Sequence, residues 1–263
     1  MVYFAPEAAG SYARLGLEGQ SGYFASRSAA LGAVGAGTVV ATFFNFRPSL
    51  VRASMDGVWS RVTPDAVLEA RTRVAGDALR RMLGDAAGSD DLRTAADLAR
   101  RAALRACERT EGRPLFAGHA DLAWPDGPVE TLWHAQTLLR EFRGDGHIAL
   151  LVDREIDGVE ALVLHEATAE LPMNLLRQTR GWTDGEWAAA AARLVERGWL
   201  RPEATAEHLA LSEEGARVRN AIEEATDRLA VHAYEALGEE GCEQLRGLAR
   251  PFSRTVVETS GLG

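Results

Sequence analysis

The chain has 263 residues, 46% of them hydrophobic, enough for one large domain or two small ones. Its formal charge of −9 suits neither nucleic acid nor an anionic membrane unless a local patch reverses the sign. All 29 basic residues other than histidine are arginine, which excludes Schiff-base, pyridoxal-anchor, P-loop-lysine and Ser–Lys chemistry. The two cysteines, Cys107 and Cys242, form no CxxC or disulfide framework, and the N-terminus lacks the basic-then-apolar pattern of a signal peptide, so a cytoplasmic protein is expected.

Taken in chain order, the uncharged run Ser28 to Phe46 is nearly long enough to span a bilayer. Its Gly32, Gly35 and Gly37 divide it, and two buried elements joined near Gly35 are expected, with no membrane contact. Thr63-Pro64-Asp65 combines a cap, an N1 proline and a first-turn acid, and the apolar spacing Leu68, Ala75, Leu79, Met82 carries a helix to Gly84. A second helix is predicted over Asp91 to Arg109. Residues 111–128 are rich in proline and glycine and read as a boundary, giving an N-terminal half over 1–125 and a C-terminal half over 126–263. A helix from Val129 to about Phe142 should break at Arg143-Gly144-Asp145-Gly146, a new apolar run begins at Ile148, and Asp157-Gly158 marks a turn before a helix over Glu160 to Ala169. Pro172 restarts the chain into a short helix over 172–180.

Thr183-x-x-Glu186 is a capping box, opening a helix that Gly198 closes. Trp199 to Arg201 and Leu209 to Leu211 are short β candidates joined by PEATAEH, and Ser212 caps a long helix with apolar residues at Val218, Ile222, Ala225, Leu229 and Ala233. The fold class is therefore mainly α, with a C-terminal winged helix-turn-helix; RLVERGWL…LALSEEG resembles the MarR-type version. The first half repeats the order of an apolar run, proline, short helix, Gly-x-Trp or Gly-Trp and Thr-capped helix, so a tandem pseudo-dimer of two related halves is a further expectation. From Trp182 to Gly215 seven carboxylates face three arginines, and the second helix of the motif carries Ala188 to Ala192, so DNA is an unfavoured partner.

There is no G-x-x-x-x-G-K and no G-x-S-x-G, and His165-Glu166 lacks the second histidine of a zincin. What remains is a polar cluster in apolar surroundings: His134, Arg140, Arg143, Asp145, His147 and His165, with Tyr23, Arg27 and Phe44 from the first half. The functional reading is a pocket between the halves for an aromatic or acidic small molecule. Arg27, Arg140 or Arg143 would clamp an anion, and His147 or His134 would act as acid/base if the protein is an enzyme. The structural alternative makes Asp145 the cap of a helix starting near His147, Arg143 its partner or a carbonyl cap, and His134 a core histidine. Nothing in the spacing of His134, His147 and His165 calls for a metal, and no cofactor is expected.

The segments GYFASRSAALG, ATFFNFRPSLV, LWHAQTLLREFRGDGHIALL and RGWT resemble an actinobacterial family of helix-turn-helix or SalK-like proteins, over about Ala5 to Thr255. The resemblance implies a bacterial cytoplasmic protein with a degenerate winged helix, found near specialised-metabolite pathways; it carries over no catalytic residue. Three functions stay open: a small-molecule-binding protein, with or without cofactor-independent catalysis; a ligand-responsive transcription regulator; and a protein that sequesters a metabolite. Both a monomeric pseudo-dimer and a homodimer fit.

Overall fold

The computed structural model describes residues 2–168, 175–205 and 207–259; Pro172 and Ala206 lie outside them. The fold is mainly α. The helices are α1 (Pro6–Ala13), α2 (Gln20–Ser28), α3 (Ala36–Thr42), α4 (Pro48–Met55), α5 (Val58–Arg61), α6 (Pro64–Leu83), α7 (Asp90–Ala106), α8 (Pro114–Ala120), α9 (Pro128–Asp153), α10 (Gly158–Glu166), α11 (Leu175–Arg180), α12 (Asp184–Glu196), α13 (Glu213–Ala230) and α14 (Gly238–Thr259). Among the described residues no helix is long and apolar enough to cross a membrane. The run from Ser28 to Phe46 is divided into the end of α2, a short 3-10 turn and α3, whose N-cap is Gly35.

Two compact units form, and neither is one continuous stretch of chain. The first comprises residues 1–34, 54–145 and 230–263; the second comprises residues 35–53 and 146–229. The loop near residue 125 lies inside the first unit.

In the first unit, α6 starts where Thr63 accepts from the Ala66 amide, and α7 where Ser89 accepts from the Leu92 amide. The buried face of α7 is built from Ala95, Ala99, Ala102, Ala103 and Ala106, small enough for close approach of neighbouring backbone. Phe116 of α8 and Phe142 of α9 meet in this core at 5.0 Å between ring centroids, and either Phe→Ala change should cost about 3–5 kcal/mol.

Helix α9 departs from the sequence expectation. It runs unbroken through Gly144 and Gly146, although each helical glycine costs about 1 kcal/mol relative to alanine. Tertiary contacts outweigh that penalty: Leu138, Leu139 and Phe142 are buried, and Asp145 is occupied elsewhere. Instead of starting a helix near His147, its Oδ2 accepts from the Phe116 amide at 2.9 Å, near the N-terminus of α8. Helix α8 itself arises within the proline- and glycine-rich stretch that reads as a boundary; Pro114 sits at its first turn, where a missing N–H costs nothing.

The core of the second unit surrounds the fully buried Trp187 of α12, with Val159, Leu162 and Val163 of α10, Leu151, Leu200 and Ile222. Both capping boxes, Asp157/Glu160 and Thr183/Glu186, are formed. Arg193 of α12 ties back to α10, donating to Glu160 and Asp157 at 2.7 Å each. Helices α11 and α12 are joined by residues 181–183, with Gly181 at φ +78°, a conformation that favours glycine. The β candidates reduce to one antiparallel bridge, Leu200 with Leu211, supported by amide donation from Arg201 to Ala210 and from Ser212 to Trp199. Glycine is also required at 158, where a Cβ would overlap the Phe44 carbonyl. At the other end, α13 stops at Ala230, short of the Ala233 to which the apolar spacing extends it, and gives way to a 3-10 turn over Val231–Ala236 and then α14.

Candidate functional site

The site develops from an anomaly on α6. Its buried face carries Val67, Ala70, Val74, Ala75, Ala78 and Met82, and Arg71 lies on that same stripe with 3% of its surface exposed. Its Nη2 donates to the Tyr3 hydroxyl and to Thr137 Oγ1, both at 3.2 Å. Among the described residues no carboxylate pairs with it, and its Nε is buried without a hydrogen-bond partner. A buried guanidinium with only neutral partners is costly unless something anionic meets it.

Arg71 lines a cavity of about 490 Å³ within the first unit. The walls come from Leu68, Glu69 and Arg71 to Arg73 of α6, from Leu122, Ala123 and Pro125, and from Glu130, Trp133 and His134 in the first two turns of α9. Residues on both sides of position 125 thus contribute. Four wall residues each hold a buried polar atom without a partner: Arg71 Nε, Trp133 Nε1, His134 Nε2 and Glu130 Oε2. Each such atom costs about 1–3 kcal/mol if nothing satisfies it; a buried, carboxylate-free arginine in the lining marks this cavity as the candidate site. Trp124 packs edge-on to His134 at 4.8 Å, with the Arg100 guanidinium 4.9 Å from the Trp124 ring centroid.

The surroundings are electropositive. Burial and then Arg71 push the His134 imidazole down to about 4, so it is neutral at ordinary pH. Burial, Arg71 and His134 hold His119 well below its usual range, and both of its ring nitrogens lack partners. Burial alone would raise the Tyr3 phenol, but Arg71, Arg140 and Arg27 outweigh it and bring it to about 8. Two of these guanidinium groups, those of Arg27 and Arg140, share one buried carboxylate, Glu141. Burial would raise Glu141 as well, yet Arg27 and Arg140 lower it.

Several residues singled out in the sequence belong to this region. Arg27 donates to the Tyr23 hydroxyl at 2.6 Å and to Glu141 at 3.1 Å; Arg140 pairs with Glu141 and reaches the Tyr3 hydroxyl at 3.4 Å. The two arginines therefore already hold an internal anion. His134 lines the cavity, whereas Asp145 serves the start of α8 and Arg143 acts electrostatically on Tyr234. Phe44, His147 and His165 belong to the second unit. Phe44 packs against its apolar core; His147 Nδ1 lies 2.9 Å from Thr226 Oγ1, and His147 and His165 line a cavity of about 350 Å³ there. Among the described residues no group of three or more His, Cys, Asp or Glu side chains is placed to hold a metal ion.

Arg71, Trp133, Glu130, His119 and Tyr3 escaped the sequence reading. For Arg71 the signal was present: it stands four residues after Val67 and three before Val74, a charge on an apolar stripe.

The solvent face of α12 presents Asp184, Gly185, Ala188, Ala189, Ala192, Arg193 and Glu196, and Arg193 is engaged by Glu160 and Asp157. Little on that face can read a base edge. Helices α10 to α12, with the three-residue turn before α12, define a protein of the helix-turn-helix class. The model of a family described as a helix-turn-helix family matches residues 1–262, and the chain belongs to that family. Comparison with curated proteins and with solved structures finds no match.

Proposed function

We propose that this helix-turn-helix protein binds a small organic molecule in the cavity between α6 and α9. The observation that carries the reading is the placement of Arg71, a buried guanidinium that pairs with no carboxylate among the described residues, beside Trp133 and His134 in the lining of one 490 Å³ cavity. That size is within the range of small-molecule sites. His134 is a poor general base at neutral pH, being held near 4, so the reading favours binding over proton abstraction. Native mass spectrometry of the purified protein, with thermal unfolding before and after removal of any bound small molecule, tests it. A co-purifying molecule whose retention is lost in Trp133→Ala supports the reading; retention unchanged in that variant places the molecule elsewhere and refutes it.

A second reading, a ligand-responsive DNA-binding regulator, is favoured by the family to which the chain belongs. The short pairing of Leu200 with Leu211 supports the finer assignment of a reduced wing, as in MarR-type proteins. The succession of short α4 and Thr-capped α6 is echoed by short α11 and Thr-capped α12, which supports the tandem-repeat idea, although α5 has no counterpart between α11 and α12. Against DNA stand the face of α12 and the fate of the α7 arginines: Arg93 pairs with Asp90, Arg101 donates to the Ala236 carbonyl and Arg105 pairs with Glu108 and Glu235. Binding to DNA from the gene's own neighbourhood with a steep salt dependence would establish the regulator; salt-insensitive or absent binding would remove it.

A further inference from the structure

The second unit holds a cavity of its own, of about 350 Å³, on which four helices converge. His147 reaches its lining from α9, His165 from α10, Arg180 from α11, and Arg219 and Glu223 from α13. All five residues remain partly exposed, so a molecule in the cavity can touch them. Two of them are held in place by their surroundings. Thr226 donates its hydroxyl proton to the Ile222 carbonyl at 2.8 Å, so its oxygen accepts from His147 Nδ1–H at 2.9 Å and fixes that ring against α13. The Arg180 guanidinium lies 4.6 Å from the Phe46 ring centroid, and the Arg180 carbonyl accepts from the Arg47 amide at 3.0 Å.

The lining sets the ligand's charge and shape. Among its described residues two guanidinium groups stand against one carboxylate, an excess of one positive charge before either imidazole takes up a proton. A single negative charge complements that excess, whereas a doubly charged phosphate would bring its second charge toward Glu223. The apolar wall is Leu151, Leu162, Leu164, Leu176 and Ile222. No aromatic side chain among the described lining residues offers a face for stacking, and branched aliphatic walls favour an alkyl chain over a flat ring.

We propose that this cavity is a second small-molecule site, which takes the anion of a short aliphatic monocarboxylic acid. Arg180 and Arg219 receive the carboxylate through charge-assisted hydrogen bonds, and the alkyl chain lies along the leucine and isoleucine wall. A cavity of about 350 Å³ is near the lower end of small-molecule sites, which suits a ligand of this size. Thr226 acts as a positioning residue, through His147. The site shares no residue with the cavity between α6 and α9, so each stands or falls without the other.

The six tryptophans supply the readout. The Trp182 indole donates to the carbonyl of Asn45, a lining residue, at 2.9 Å, whereas Trp133 lines the cavity between α6 and α9. The experiment follows the indole signals of the full chain by proton–nitrogen correlation NMR at neutral pH, with Trp182→Phe assigning one of them. The probes are hexanoate, 4-methylpentanoate, hexanamide and butyl phosphate. The acids are expected to move the Trp182 signal and leave that of Trp133 in place, and to bind about tenfold or more tightly than the amide and the phosphate. Arg180→Gln and Arg219→Gln should each weaken the acids about tenfold. Arg217→Gln removes an equal charge from α13 outside the lining and should leave binding unchanged. The same spectra show whether each variant is folded. If the amide or the phosphate binds as tightly as the acids, the carboxylate assignment is overturned. The site itself is overturned if neither acid moves the Trp182 signal at millimolar concentration, or if the Trp133 signal moves instead. It is equally overturned if the response survives both lining substitutions in folded protein, or if Arg217→Gln weakens it as much as they do.

Discussion

Replacing Asp145 with asparagine isolates the cost of a buried charge from the benefit of a helix cap. The Asp145 carboxyl is raised from 3.8 to about 6, first by burial and then by Glu141, against the opposing pull of the Phe116 and Leu115 amides and of Arg113. The folded pKa exceeds the unfolded one. The native state therefore holds a proton that the unfolded chain has released, and stability falls as pH rises from about 3.8 to about 6. A shift of about two pKa units corresponds to about 3 kcal/mol. The Asp145→Asn variant has no such charge, and its amide oxygen can still accept from the Phe116 amide. His134 and His119 act in the opposite direction over an overlapping window, because their depressed pKa values let the unfolded chain take up protons first as pH falls below about 6.5. The quantity to measure is therefore the difference in unfolding free energy between the variant and the parent, from urea titrations between about pH 4 and pH 8. That difference should rise by about 2–3 kcal/mol across the range. Asp145→Ala should show the same rise, displaced downward by about 1–2 kcal/mol because the start of α8 loses its acceptor. A difference that stays flat or falls with pH would refute the placement of Asp145 against α8.

The Tyr3 phenol, lowered to about 8 by its three arginines against the effect of burial, should ionise near that pH in an ultraviolet titration, and Tyr3→Phe should abolish that transition. Its folded pKa lies below the unfolded one, so this contribution to stability is fully present above about 10 and is lost as pH falls through 8. Gly158→Ala places a methyl group against the Phe44 carbonyl and should destabilise by about 1–3 kcal/mol in chemical denaturation, whereas Gly185→Ala, with open space around it, should cost less than half as much. Arg193→Ala leaves the buried Glu160 carboxylate with the more distant Arg197 at 3.8 Å and should cost about 1–2 kcal/mol. In a Glu160→Gln background a double-mutant cycle should remove most of that cost.

Local signals in the sequence were reliable where one side chain and its own backbone decide the outcome. Thr63, Thr183 and Ser212 each cap the helix that their position announces. Reading failed where distant chain decides. Gly144 and Gly146 are breakers by propensity, but nothing local reveals that Asp145 between them serves the amide of Phe116, 29 residues earlier. The stretch from 111 to 128 is punctuated by prolines and glycines, and α8 forms there because Leu115 and Phe116 have a core to enter. The candidate site shows the same division. Arg27, Arg140 and His134 stood out as polar residues in apolar company, yet their partners could not be assigned without the fold. Arg71 was passed over because a periodicity argument treats a charge on the apolar stripe as noise, although its burial is what makes it informative.

The interleaving of the two units has a consequence for anyone who would take the chain apart. The first unit draws on three separated stretches and the second on two; one boundary falls just before α3 and the other three inside α4, α9 and α13. A single cut anywhere between residues 54 and 229 deprives at least one unit of part of its own wall, so fragments made in the usual way should be insoluble apart and regain structure only when mixed. The same threading limits how the gene can change: a unit cannot be lost, swapped or grafted as one cassette. The cavity between α6 and α9 and the helix-turn-helix elements are thus inherited together, whatever either comes to recognise.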